Sequence, residues 1–129
     1  MPVFYSKVQR NNPSSPDEPK EWYATLKRIA LVKEKDVAKQ IADETTLNRK
    51  EAEMALAQFE KVLIRELTNG NSVQLGDWES FRLTCSSEGQ DSKENVRTDN
   101  IKKINIQFTP GKSLKEAIQK VTLRDITSM

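Results

Sequence analysis

Asn48-Arg-Lys-Glu-Ala-Glu-Met-Ala-Leu-Ala-Gln-Phe-Glu-Lys-Val-Leu-Ile-Arg-Glu-Leu-Thr-Asn-Gly70, continuing as Asn71-Ser-Val-Gln-Leu-Gly-Asp-Trp-Glu-Ser-Phe81, is the stretch around which the rest of the chain arranges itself. Asn48 is a good N-cap, and Glu51 stands three residues later, a capping box with Asn in the Ser/Thr position. Ala52, Ala55, Leu56, Phe59, Leu63 and Leu67 return at three- and four-residue steps, which puts an apolar stripe on a helix. Met54, Val62 and Ile64 widen that stripe beyond what one short neighbour covers. Gly70 suits a left-handed C-cap, after which Val73 and Leu75 alternate with Gln74 and Gly76 at the period of a strand. The stretch is predicted to be a long helix, a glycine stop and a strand. Its broad apolar face needs a partner, and in a chain of 129 residues that partner is expected to be a second copy.

Upstream, Val37, Ala38, Ile41 and Ala42 mark one face of a first helix from Glu34 to about Thr45. Lys33 is a poor N-cap, and Glu34 and Asp36 help only through the helix dipole. Thr45-Thr46-Leu47 then turns the chain into the long helix, giving an α-hairpin. Further upstream, residues 3–9 and 22–32 are β-prone, and Asn11-Asn-Pro-Ser-Ser-Pro-Asp-Glu-Pro19 between them is an extended loop. The two runs are expected to pair antiparallel across it, and to extend the main sheet or cover its edge. Tyr5, Trp22 and Tyr23 read as packing aromatics, because no repeated alternation of aromatic and basic residues surrounds them.

Downstream, Asp77-Trp78-Glu79 is a turn, and Ser80–Thr84 a second strand with Phe81 and Leu83 on one side. Residues 85–100 have few apolar groups and belong on the surface. Ile101, Ile104, Ile106 and Phe108 mark a further strand whose even positions face inward, and Pro110-Gly111 stops it. Lys112 to Lys120 is a final short helix with Leu114, Ala117, Ile118 and Val121 as its apolar side and Ser113 near its cap. The last eight residues carry no pattern that assigns them.

Composition narrows the function. Hydrophobic residues make up 36% and charged ones 31%, so the core is small and the surface heavily charged. Net charge is only +2, but residues 1–33 carry +3 and 101–129 carry +4, against −2 for 34–70 and −3 for 71–100. Basic ends around an acidic middle suit a polyanion-binding face, and they also suit mere solubility. The chain has no histidine, so the commonest general base and metal ligand is missing, and its one cysteine, Cys85, builds neither a disulfide nor a zinc site. Carboxylates are interleaved with bases, as in Glu60-Lys61 and Arg65-Glu66, which is the pattern of solvated pairs and not of an acid/base dyad. No glycine pattern cradles a phosphate, and neither a membrane span nor a signal-peptide core is present. These readings point to a soluble, non-enzymatic protein of the cytoplasm, with no cofactor, metal or small-molecule substrate.

Val73-Gln74-Leu75 with Ser80-Phe81, and then Phe108-Thr109-Pro110-Gly111-Lys112-Ser113-Leu114-Lys115-Glu116-Ala117, resemble the bacterial histone-like HU and integration-host-factor family of DNA-binding proteins. The order of elements over residues 34–120 agrees. Residues 1–33 resemble the variant of this family found in Bacteroides, which carries an N-terminal extension. The resemblance implies an α+β, HU-like fold: a helical hairpin, an antiparallel sheet and a short C-terminal helix, in an intertwined homodimer that binds double-stranded DNA in the nucleoid. It implies three segments, a β extension over 1–33, the DNA-binding domain over 34–120 and a tail over 121–129. Carried over by position, Lys112 and Lys115 meet phosphates at the start of the last helix, where the helix N-terminus also favours an anion. Lys102 and Lys103 lie on or near the strand returning from the arm, and Arg82 on the outgoing one.

Two departures stand beside the likeness. The family's Gly-aromatic-Gly turn is Asp77-Trp78-Glu79 here, and the arm lacks the proline that wedges between base pairs in the family. The arm segment is also acidic. A structural or protein-interaction dimer that kept the fold and lost DNA binding therefore remains the alternative, because fold does not carry function with it.

Overall fold

The computed structural model describes residues 2–11, 13–15 and 17–128. Asn12 and Pro16 of the proline-rich loop lie outside the described residues, as do the terminal Met1 and Met129. Two compact units divide the chain: Glu34–Glu116, and Met1–Lys33 together with Ala117–Met129.

The first of these units opens with the expected helical pair, α1 (Glu34–Glu44) and α2 (Arg49–Thr68). The capping box forms: Glu51 N–H donates to Asn48 Oδ1 at 2.8 Å, and Asn48 N–H donates to Glu51 Oε1 at 3.0 Å. Between the helices, Thr45 Oγ1 donates to Ile41 O at 2.6 Å and accepts from Leu47 N–H at 3.2 Å, which closes α1 and turns the chain. The stop at Gly70 follows the sequence reading. Its φ is +86°, Gly70 N–H donates to Leu67 O at 3.0 Å and Asn71 N–H reaches back to Glu66 O at 3.0 Å, the paired bonds of a Schellman motif.

A three-stranded antiparallel sheet follows in the order β3 (Val73–Leu75), β4 (Glu79–Ser87), β5 (Ile101–Pro110). β4 runs three residues past the predicted Thr84, because Cys85, Ser86 and Ser87 find partners in Ile104, Lys103 and Ile101. The register is interrupted by a bulge between Ser86 and Ser87. Pairing sorts the ribbon into two faces. Phe81/Phe108, Leu83/Ile106 and Cys85/Ile104 share one, with the phenylalanine ring centroids 5.5 Å apart; Ser80/Thr109, Arg82/Gln107, Thr84/Asn105 and Ser86/Lys103 share the other. At the far end, Lys93–Asn95 and Thr98–Asn100 form two short 3-10 turns.

The turn lacking the family's glycines is made by a different one. Gly76 takes φ +53°, and the chain doubles back so that Gly111 N–H donates to Trp78 O at 2.7 Å and Ser113 N–H to Asp77 O at 3.1 Å. Ser113 Oγ also points to Asp77 O, at 3.3 Å, so this serine ties α3 (Lys112–Gln119) to the turn. Gly111 is needed there for space: a Cβ would overlap the Asp77 carbonyl and lie 2.6 Å from its carbon and 2.9 Å from the Trp78 carbonyl carbon. Gly111→Ala is expected to cost about 1–3 kcal/mol by overpacking, measured as a lowered midpoint in thermal unfolding; an unchanged midpoint would refute the close approach.

In the other unit, β1 (Val3–Arg10) and β2 (Glu21–Lys27) pair antiparallel from Phe4↔Lys27 to Arg10↔Glu21, as the β-prone runs suggested. They do not extend the β3–β5 sheet. They form a sheet of their own, β2-β1-β6, in which β6 (Leu123–Asp125) comes from the C-terminal stretch that carried no pattern and pairs parallel with Val3–Tyr5. Asp125 fastens it: the carboxylate accepts from Thr127 N–H (3.0 Å) and Oγ1 (2.9 Å) and pairs with Lys7 Nζ (3.3 Å). The Thr127 hydrogen bonds, with Lys7 behind them, hold this carboxyl below its ordinary range. Its contribution is therefore present above the ordinary carboxylate value and fades as pH falls through the lowered one. The aromatics do not all pack: Trp22 is 68% exposed, on the same sheet face as Leu26, because β2 alternates and that face lies open.

Burial is sparse throughout. The buried hydrophobic residues among those described are Ala38, Ala52 and Leu67, and no large side chain is fully buried.

Candidate nucleic-acid interface

Every basic residue singled out by the sequence lies in the Glu34–Glu116 unit, and the ribbon and α3 position them differently. Arg82 and Lys103 project from the same polar ribbon face, because both fall on rungs of that register. Arg82 is braced there, with Nε and Nη2 both donating to Gln107 Oε1 at 3.1 and 3.0 Å. That uses part of a five-donor fork and leaves the remaining N–H groups for an anion. Lys102 sits beside the bulge, outside the paired register, and its Nζ is engaged by Glu88 in an ion pair. The exposed pair is worth little in stability, yet it offsets a charge that a phosphate would otherwise meet.

Lys112 and Lys115 occupy the first turn of α3, three residues apart and so on neighbouring positions of one helix face. Lys112 also lines a cavity of about 300 Å³, together with Gln74, Asp77, Glu79, Ser80 and Thr109. This grouping was not legible in the sequence, since it depends on the close packing of the 76–79 turn against Gly111. Glu79 is the unusual member. As a residue it is only 6% exposed, and desolvation by burial raises its pKa above the ordinary value. The other residues missed by sequence reasoning are Thr84, Asn105 and Gln107, which join Arg82 on the polar face. Strict alternation along β5, continued onto its partner strand, is the signal that finds them.

The apolar ribbon face continues the same logic on the other side. Ile104 is 65% exposed and Ile106, Phe108 and Leu83 are also exposed, as are Met54, Phe59, Val62 and Ile64 of α2. Among the described residues no group of three or more Cys, Asp or Glu side chains is arranged to hold a metal ion, and no helix is long and apolar enough to cross a membrane.

Comparisons with known proteins bear on this geometry. The family model HU-HIG, an HU domain fused to wHTH, Ig, or glycine-rich motif, matches residues 1–125. No curated protein matches the chain. Among solved structures, a candidate bacterial DNA binding protein from Bacteroides vulgatus is similar over 95% of this chain, with a TM-score of 0.65 and 16% identity. The match covers 48% of that protein, so this chain spans about half its length. An Anabaena HU–DNA cocrystal structure is similar over 68% of this chain and 98% of its own, with a TM-score of 0.54 and 19% identity. At these identities the two structures establish the HU-like α+β fold.

Proposed function

Since the chain belongs to the HU-HIG family, we propose that it is a non-enzymatic, homodimeric protein that binds double-stranded DNA, chiefly through phosphates and with little sequence preference. The observation that carries this reading is the sorting of the ribbon, which collects Arg82 and Lys103 on a polar face and leaves the opposite face apolar. Lys112 and Lys115 add a second basic point in the first turn of α3. Lys102 contributes less, because Glu88 already engages it. Phosphates carry no sequence, so contacts of this kind position a duplex without reading it.

The lack of burial supports a second copy. Buried hydrophobic residues that number, among those described, two alanines and a leucine are a small core for one chain, while α2 and the apolar ribbon face each carry exposed large side chains. Strong kinking is not part of the proposal. No proline lies between Pro19 and Pro110, so the ribbon has no proline wedge to insert between base pairs. The site of action in this reading is the nucleoid of the bacterial cytoplasm.

Electrophoretic mobility shift with unrelated duplexes of equal length tests the proposal. Comparable retardation of all of them at low salt, falling steeply as salt rises, is the expected result. Absence of any shift at low salt would hand the fold to the second reading, a protein-interaction dimer. The acidic segment at the ribbon's far end, with Glu88, Asp91, Glu94 and Asp99, is the feature that favours that reading.

A further inference from the structure

The sheet of the smaller unit ends on a strand whose sequence matches itself. In the order β2-β1-β6, β1 lies between the other two, so among the described residues β2 and β6 each keep one edge without a neighbouring strand. The edge of β6 is three residues long, whereas that of β2 runs over seven, Glu21–Lys27. The register of β2 against β1 is continuous from Phe4↔Lys27 to Arg10↔Glu21, and the strand contains no proline. Bulges, prolines and short length commonly close an edge to a further strand, and β2 has none of them.

Alternation divides β2 into two faces. Trp22, Ala24 and Leu26 share one, on which Trp22 is 68% and Leu26 62% exposed. Glu21, Tyr23, Thr25 and Lys27 share the other, where the Tyr23 hydroxyl donates to Glu21 Oε2 at 2.8 Å. A two-fold turn about Ala24, the middle residue, sets the strand antiparallel to itself with every residue opposed. Glu21 then faces the partner's Lys27, Trp22 faces the partner's Leu26, Tyr23 faces the partner's Thr25, and Ala24 faces the partner's Ala24. Opposed residues lie on one face of a joined sheet, so both ends gain a pair of opposite charges and the open face gains two aromatic–aliphatic contacts. Other centres lose this match: turning about Tyr23 puts Glu21 opposite Thr25, and turning about Thr25 puts Lys27 opposite Tyr23. A parallel arrangement sets Glu21 beside Glu21 and Lys27 beside Lys27.

We propose that β2 is an interaction edge for a second copy of this chain, which pairs with it antiparallel about Ala24 and joins two β2-β1-β6 sheets into one. The contact is separate from the one proposed for α2 and the ribbon, and it does not rest on DNA binding. Main-chain hydrogen bonds supply the attraction, while the charged ends and the Trp22–Leu26 match select the register and the partner. A single pair of short strands buries less than a standard interface, so the contact belongs to the weak, transient class.

Disulfide trapping of the full chain, read on a non-reducing denaturing gel after mild oxidation with glutathione disulfide, suits a contact of this kind. Ala24→Cys in a Cys85→Ser chain places one thiol on the two-fold axis, where opposed Cα atoms of antiparallel strands are about 4.5–5.5 Å apart and within disulfide reach. Gln9→Cys in the same background is the control. Gln9 lies opposite Trp22 on β1, one strand further in, so its two copies are separated by three strand spacings, about 14 Å or more. Ala24→Cys is expected to give about tenfold more linked chain than Gln9→Cys, because only the first pair lies within disulfide geometry. Adding Lys27→Glu to Ala24→Cys opposes carboxylates at both ends and should lower the yield severalfold, and adding Glu21→Lys should do the same with two lysines. Mixing those two chains should restore the yield, since every like-charge pair then becomes an opposite one.

Equal linking through Ala24→Cys and Gln9→Cys would overturn the inference, reducing the product to random collision. Yields indifferent to the charge variants would also overturn it, because the register would then be wrong. Ala24 is exposed, so its substitution leaves the fold undisturbed, and circular dichroism checks each variant. Should the cysteine variant nevertheless fail to fold, hydrogen exchange of the parent decides: the amides of β2 should exchange more slowly as protein concentration rises, and exchange independent of concentration would sink the pairing. None of these results touches the DNA-binding reading, which the mobility shift tests separately.

Discussion

Replacing Lys112 and Lys115 together with alanine is expected to weaken duplex binding on the order of 60-fold at 0.1 M monovalent salt. The figure follows from counterion release: each phosphate contact contributes roughly 0.9 to the slope of log affinity against log salt, so two contacts give nearly two decades at that concentration. The slope itself should fall by about two. The loss should be the same on unrelated duplexes if, as proposed, both side chains act on phosphates. Lys102→Ala should cost less than either lysine of α3, since Glu88 already offsets its charge, and Lys93→Ala or Arg97→Ala in the acidic segment should be mild. A salt titration in which the folded double variant keeps the parental slope would show that the start of α3 is not a phosphate site.

The second large effect concerns the assembly. Phe59→Ala is expected to cost about 3–5 kcal/mol, the value of deleting a buried aromatic side chain. Within one chain Phe59 is 40% exposed, so a cost of that size arises only when another surface covers it, and the proposed cover is the second copy. The parent should sediment as a dimer at micromolar concentration, with an unfolding midpoint that rises with protein concentration. The variant should dissociate and unfold together, because the chain alone has so little buried apolar surface to keep it folded. A stable folded monomer of either protein would contradict the dimer.

Local rules, where they applied, were sufficient. The box of Asn48 with Glu51 and the stop at Gly70 depend on residues a few positions apart, so the bounds of α2 were legible from the chain alone. The alternation Ile104, Ile106, Phe108 likewise determined which side chains share a face of β5. The same holds for the antiparallel pairing of β1 with β2 across a proline-rich loop. The Pro-Gly-Lys segment and the strand before it carried the family likeness, and with it the α+β fold.

What alternation cannot state is which face is covered, and this is where Trp22 departed from the packing expected of it. Periodicity defines two sides of a strand, and only the neighbouring layer decides which side is buried. The strand at Leu123–Asp125 was illegible for a related reason: three residues of mixed character become a strand only because Val3–Tyr5 offers them a hydrogen-bonding edge. Lys102 was expected on or near the strand returning from the arm, and its ion pair with Glu88, beside the bulge at Ser86/Ser87, is visible only in the folded ribbon. The cavity shared by Glu79 and Lys112 is the furthest from the sequence. These residues are distant along the chain and meet because a glycine with no Cβ lets the start of α3 close on the Asp77–Trp78 backbone. The sequence by itself determined the helical pair, its caps and the two faces of the ribbon strands, since those follow from contacts within a few residues. The electrostatic character of the site was decided by the tertiary structure alone, because charges act through space and their distances exist only once the chain has folded.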